Sequence, residues 1–96
     1  MDIRLDPQRF VGEIDGEPVA LFRLRHANGM EVAVCNLGAK VLQILVPDSQ
    51  GVLGDVALGY ESLAELQAGA PSMGAFIGRY AGRIAQARYT LDGTAY

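Results

Sequence analysis

The sequence predicts an all-β protein built from antiparallel strands, with one short helix. Two observations carry that expectation. Apolar and polar residues alternate with period two over several short stretches, the pattern of half-buried strands. Those stretches are bounded by turn residues, including Asp15-Gly16, Asn28-Gly29 and Asp92-Gly93. Such dipeptides tolerate the positive φ values of a type I′ turn, whose twist matches the strands on either side. Many short strands with regular turns suit a sandwich or a barrel.

Between the first two turns lies Glu17 to His26, where Ala20, Phe22 and Leu24 fall on one face and Arg23 and Arg25 on the other. After the second turn Met30, Val32 and Val34 share a face, so an antiparallel hairpin is expected here. Val41 to Val46 is apolar except for Gln43, as in a strand buried on both faces. Pro47 ends it, because proline cannot donate to a ladder. Asp48-Ser49-Gln50-Gly51 is a turn cluster, and Val52 to Leu58 is expected to be the next strand. Ser62-Leu63-Ala64-Glu65 has the form of a capping box. It predicts one or two helical turns ending near Gly69. Ala70-Pro71 opens an irregular, glycine-rich segment that runs through Gly82. From Ile84 the alternation resumes, with Ala85, Ala87, Tyr89 and Leu91 opposite Gln86, Arg88 and Thr90. Asp92-Gly93 then turns into Thr94-Ala95-Tyr96, the first residues of a further strand.

With 96 residues the chain is sized for one small domain. Half of its residues are apolar, enough to favour collapse over disorder. A chain this short buries a smaller share of its surface than a large domain does. The formal charge of −3 comes with no basic stripe and no acidic tail, which argues against nucleic acid as a partner. The first residues lack the apolar core of a signal peptide. No stretch approaches the ~18 uninterrupted apolar residues of a membrane helix, so no membrane partner is expected. Cys35 is the one cysteine and cannot form an internal disulfide. A buried, inert thiol in a reduced, cytoplasmic setting is expected.

Candidate chemistry is sparse. His26 is the one histidine, so the chain holds no Cys/His cluster with zinc spacing. It stands just before a turn and reads as a solvated residue at a strand end. Gly74, Gly78 and Gly82 recur every four residues, with Arg79 and Arg83 among them. This is not a phosphate-binding loop, because Gly-Lys-Ser/Thr is missing. A tightly bent backbone that presents one or both arginines is the physical reading. A guanidinium offers several fixed N–H donors, suited to the hydroxyl and ring oxygens of a sugar. Pairing of Arg79 and Arg83 with surface carboxylates, or capping of carbonyls by them, is the plainer alternative on chemistry alone.

Four stretches in order resemble the N-terminal part of the aldose 1-epimerase (galactose mutarotase-like) family. They are Asn28-Gly29-Met30 leading through Val34 to Ala39; Val46-Pro47-Asp48 with Gly51 and Asp55 to Tyr60; Gly74 to Ala85; and Tyr89 to Tyr96. The third, Gly-Ala-Phe-Ile-Gly-Arg-Tyr-Ala-Gly-Arg-Ile-Ala, is the most specific. The resemblance covers the chain from about Phe10 onward.

This resemblance implies an antiparallel β-sandwich of the galactose mutarotase (supersandwich) type, of which residues 1–96 are the N-terminal part of a single domain. It implies interconversion of the α and β anomers of a free aldose such as galactose or glucose, with no cofactor. In the family a histidine acts as general acid on the ring oxygen and a glutamate as base on the C1 hydroxyl. Arg83 matches the family arginine that contacts sugar oxygens, and is the expected substrate-binding residue. The family has asparagine before that arginine, where this chain has Gly82. Arg79 also matches a family position and reads as structural. The family's catalytic histidines and glutamate match nothing in the chain, so no catalytic residue is expected in it and the chain alone is expected to be inactive. The other reading is a non-catalytic β module that binds sugar weakly or assembles through strand edges, and a hexose-phosphate mutarotase is a variant within the family. The closing Asp92-Gly93 turn with few residues after it fits a fragment, and an unpaired edge invites a homodimer.

Overall fold

Three Asx-Gly dipeptides shape the chain, in two ways. In the computed structural model, which describes residues 2–69 and 72–96, Asp15 and Gly16 both take positive φ (52° and 82°). They join β1 (Gly12–Ile14) to β2 (Glu17–Val19) as a two-residue turn. Asp92 and Gly93 do the same (48° and 79°) between β7 (Thr90–Leu91) and β8 (Thr94–Ala95). Asn28-Gly29 differs. Only Gly29 is left-handed (101°), and the Gly29 N–H donates to the His26 carbonyl at 3.0 Å. The expected two-residue turn is therefore a longer one, closed by a left-handed glycine.

That turn joins β3 (Leu21–Arg25) to β4 (Glu31–Cys35). With β5 (Lys40–Pro47) and β6 (Leu53–Asp55) they form an antiparallel four-stranded sheet in chain order. The β4–β5 register shifts between Ala33 and Val34, leaving Leu42 opposite no partner. Leu42 and Gln43 are consequently both buried, which strict alternation forbids and a bulge permits. As expected, β5 ends at Pro47. β6 is shorter than the expected Val52–Leu58 strand because the Asp55 carboxylate turns the chain. Its Oδ1 accepts from Ala57 N at 3.1 Å and from Ile44 N at 3.2 Å.

Helix α1 (Leu63–Ala68) stands where the capping pattern placed it. Ser62 Oγ accepts from Glu65 N at 3.2 Å. The returning Glu65 carboxylate accepts from Glu61 N at 2.9 Å, one residue earlier than the capping box requires. The expected start of irregular chain at Ala70-Pro71 lies outside the described residues. A further difference concerns the alternation after Ile84. It predicts a strand, but Ala85–Ala87 is a 3-10 turn with left-handed Gln86 and Ala87, and pairing begins only at Thr90. Period-two spacing is blind to a local reversal of φ.

The core gathers Phe10, Val19, Cys35, Leu42, Tyr60 and Leu66. It lies on one side of the sheet, beneath the N-terminal residues. Gln43 secures that segment, donating from Nε2 to the Ile3 carbonyl (2.8 Å) and accepting from Leu5 N (3.2 Å). Arg23 donates to the Leu5 carbonyl. Arg4 Nε lies 3.0 and 3.1 Å from the two oxygens of buried Glu31, whose Oε1 also accepts from Arg25 Nε at 3.1 Å. The Arg4 hydrogen bonds hold the Glu31 carboxyl below its usual range against the opposing effect of burial, and Arg25 adds to them. The buried charge is thus paired on two sides, the condition under which burial is tolerated. The opposite face of the sheet is open. Phe22 and Leu24, which share a face as expected, are 53% and 65% exposed.

Candidate functional site

The segment holding both arginines is pinned at one point. Gly74, at φ 68°, accepts from Val41 N at 2.9 Å through its carbonyl and so lies against β5. A Cβ there would fall 1.8 Å from the Val41 carbonyl oxygen. Of the three glycines spaced by four, this one is a steric requirement. Gly82 has a left-handed backbone (79°) in open space, and Gly78 shows neither constraint. The expectation of a glycine-bent backbone therefore rests on Gly74 and Gly82.

Beyond Gly74 the chain leaves the core, and every residue from Phe76 to Tyr96 is exposed. It is shaped by its own turns. Ala87 N donates to the Ile84 carbonyl at 2.9 Å, which closes the 3-10 turn. Tyr89 and Tyr96 exchange backbone hydrogen bonds of 3.1 and 2.8 Å, and their rings stack with centroids 5.3 Å apart and planes at 18°. Between these turns lies a cleft of about 670 Å³ lined by Arg79, Tyr80, Arg83, Ile84, Tyr89 and Leu91, with Thr90 beside them. Its size falls within the range of small-molecule sites, and its lining of apolar and aromatic groups with a few polar ones is typical of them.

Arg83, the expected substrate-binding residue, and Arg79 both line this cleft, and no carboxylate does. Among the described residues the salt bridges are those of Arg4, Arg9 and Arg25, so the alternative pairing of Arg79 and Arg83 with surface carboxylates is not formed. Among the described residues no carboxylate lies within ion-pairing distance of either guanidinium. His26 lies elsewhere, exposed at the end of β3, where its Nδ1 accepts from Asn28 N at 3.1 Å. Cys35 is a fully buried free thiol. Among the described residues no cluster of three or more His, Cys, Asp or Glu side chains could hold a metal ion. A smaller hollow, of about 340 Å³, lies between Ile3, Leu5 and the β5–β6 region. Of its polar groups, Gln43 and Asp55 are already committed to backbone partners and the Glu61 carboxylate lies 3.8 Å from Arg9, while Tyr60 also lines it. The arginine cleft is therefore the stronger candidate site. Sequence reasoning reached Arg83 and missed Tyr89 as a lining residue. The only signal for it was the Asp92-Gly93 turn, which folds Tyr96 back against it.

Antiparallel sheets, one short α-helix and a cleft lined by two arginines and two tyrosines define a mainly antiparallel β protein among the described residues. The chain belongs to the aldose 1-epimerase family, whose family model matches residues 20–96. It is 44% identical over 79 residues to the aldose 1-epimerase of Escherichia coli (strain K12), covering 82% of this chain and 23% of that protein. It is 37% identical over 81 residues to the galactose mutarotase of Rattus norvegicus, covering 84% and 23%. It is 29% identical over 86 residues to the aldose 1-epimerase of Streptococcus thermophilus, covering 90% and 25%. The chain thus spans about a quarter of the length of the curated relatives it matches. No solved structure matches it at a significant level. No helix among the described residues is long and apolar enough to cross a membrane.

Proposed function

We propose that these residues are the N-terminal, sugar-contacting part of a single-domain aldose 1-epimerase that interconverts the α and β anomers of a free aldose such as galactose or glucose. The observation that carries this reading is Arg83, which matches the family's sugar-contacting arginine and lines the cleft without an acidic partner. Its planar guanidinium donates to the hydroxyl and ring oxygens of the sugar and fixes the ring against the cleft. The proton donor on the ring oxygen and the base on the C1 hydroxyl, as the family resemblance implies them, match no residue of this chain. Positioning is this segment's contribution to the reaction, and proton transfer is supplied by other residues of the whole protein. No cofactor takes part. A cytoplasmic setting belongs to the same reading, as does a homodimer formed through exposed strand edges.

Polarimetry tests the division of labour. Fresh α-galactose mixed with the 96-residue chain is expected to mutarotate at the spontaneous rate. Acceleration by this chain alone would show that it holds proton-transfer groups of its own. In the whole enzyme, Arg83→Ala is expected to lower kcat/KM by about ten- to a hundredfold, as loss of a charged hydrogen-bond donor does. A folded Arg83→Ala enzyme with full activity would remove Arg83 from the site.

A further inference from the structure

We infer that Tyr89 is the aromatic platform of the cleft, on which the apolar C–H face of the sugar ring rests while Arg83 holds its oxygens. The inference rests on the sugar-binding reading of Arg83 and adds the residue that would recognise the other side of the ring. A pyranose presents two chemistries: hydroxyls around its rim, and a face of C–H bonds. A site that holds it must supply hydrogen-bond donors for the first and an apolar surface for the second. Arg83 meets the first need, and Ile84, Leu91 and one tyrosine ring are available for the second.

Two tyrosines line the cleft, and the structure distinguishes them. Tyr80 is 85% exposed and takes part in no ring stack among the described residues. Tyr89 is half exposed and fixed twice, by its paired backbone bonds to Tyr96 and by the ring stack. Tyr96 does not line the cleft. Tyr96 covers one face of the Tyr89 ring, so the sugar would rest on the other. Such a ring is already oriented before ligand arrives, so little conformational freedom is lost on binding. The flat aromatic face supplies contact area, and the hydroxyl at its edge leaves that face free.

Ligand-observed saturation-transfer NMR with galactose and the 96-residue chain tests this. The expected result is strongest transfer to the ring C–H protons of one sugar face. The apparent Kd is expected to rise by about three- to tenfold in Tyr89→Leu, the range of one aromatic contact, and to stay within about twofold in Tyr89→Phe. Far-UV circular dichroism confirms that the sheet survives, because Tyr89 lies outside the core. If Tyr89→Leu binds as wild type while Arg83→Ala abolishes binding, the platform is wrong and the sugar site stands. If no galactose protons are saturated, or Arg83→Ala binds unchanged, the reading of Arg83 fails and the platform falls with it. Failure of Tyr89→Phe to retain binding would assign the effect to the hydroxyl and overturn the platform.

Discussion

Gly74 ties the arginine-bearing arm to the sheet, and replacing it with alanine tests how that arm is held. Two effects add. Alanine in the left-handed conformation costs about 1–2 kcal/mol relative to glycine. The new Cβ would also stand 1.8 Å from the Val41 carbonyl oxygen, a distance no real contact allows, so the backbone must move. Moving it lengthens the 2.9 Å bond from Val41 N to the Gly74 carbonyl, worth about 1 kcal/mol. The expected loss is about 2–3 kcal/mol, a large part of the stability of a chain this small. Urea unfolding followed by far-UV circular dichroism measures it. Gly82→Ala meets the left-handed strain in open space and should lose about 1 kcal/mol. Gly78→Ala, with neither constraint, should fall within about 0.5 kcal/mol of wild type. A Gly74→Ala chain as stable as wild type, or a Gly78→Ala chain equally damaged, would refute the claim that close approach to β5 fixes the arm.

The Glu31 carboxyl has a depressed pKa in the folded chain, so its contribution is present above the ordinary glutamate value of 4.5 and is lost as pH falls through the depressed value. Stability should therefore drop below pH 4.5, and Glu31→Gln should flatten that acid limb; an unchanged limb in the variant would assign acid sensitivity to other carboxyls. Ser62→Ala removes the cap on Glu65 N and should cost about 1 kcal/mol, read from the urea midpoint, whereas a change below about 0.3 kcal/mol would mean that packing of Leu66 alone holds the helix.

The strands were legible wherever turn chemistry and period two agreed, as at Asp15-Gly16 and along β3 and β4. The failures have local causes. Asn28-Gly29 has the composition of a two-residue turn, yet His26 and Met30 pair across it (N···O 2.9 Å) and enlarge the loop. The stretch after Ile84 alternates well, but left-handed Gln86 and Ala87 break it, and neither residue type advertises that conformation. The Arg4–Glu31–Arg25 cluster was invisible because its members are 27 and 6 residues apart, and only the sheet register and the N-terminal segment bring them together. At the site, Arg83 was reached through the family motif, and chemistry alone favoured a surface ion pair that the structure does not form.

Stability and recognition are housed in different parts of this chain, and that separation decides which variants are informative. Phe10, Cys35, Leu42 and Leu45 are almost fully buried and belong to the sheet side, while Arg79, Arg83 and Tyr89 stand on an arm with no buried residue from Phe76 onward. The two parts are joined at Gly74, where backbone meets backbone. Substituting an arm side chain removes few core contacts, so a change in sugar binding there can be read as recognition. Substituting Gly74 changes where the arm begins, and should alter stability and binding together. A binding defect that appears in Arg83→Ala without any shift of the urea midpoint is thus the signature of a contacting residue, and the same defect accompanied by unfolding is the signature of a support.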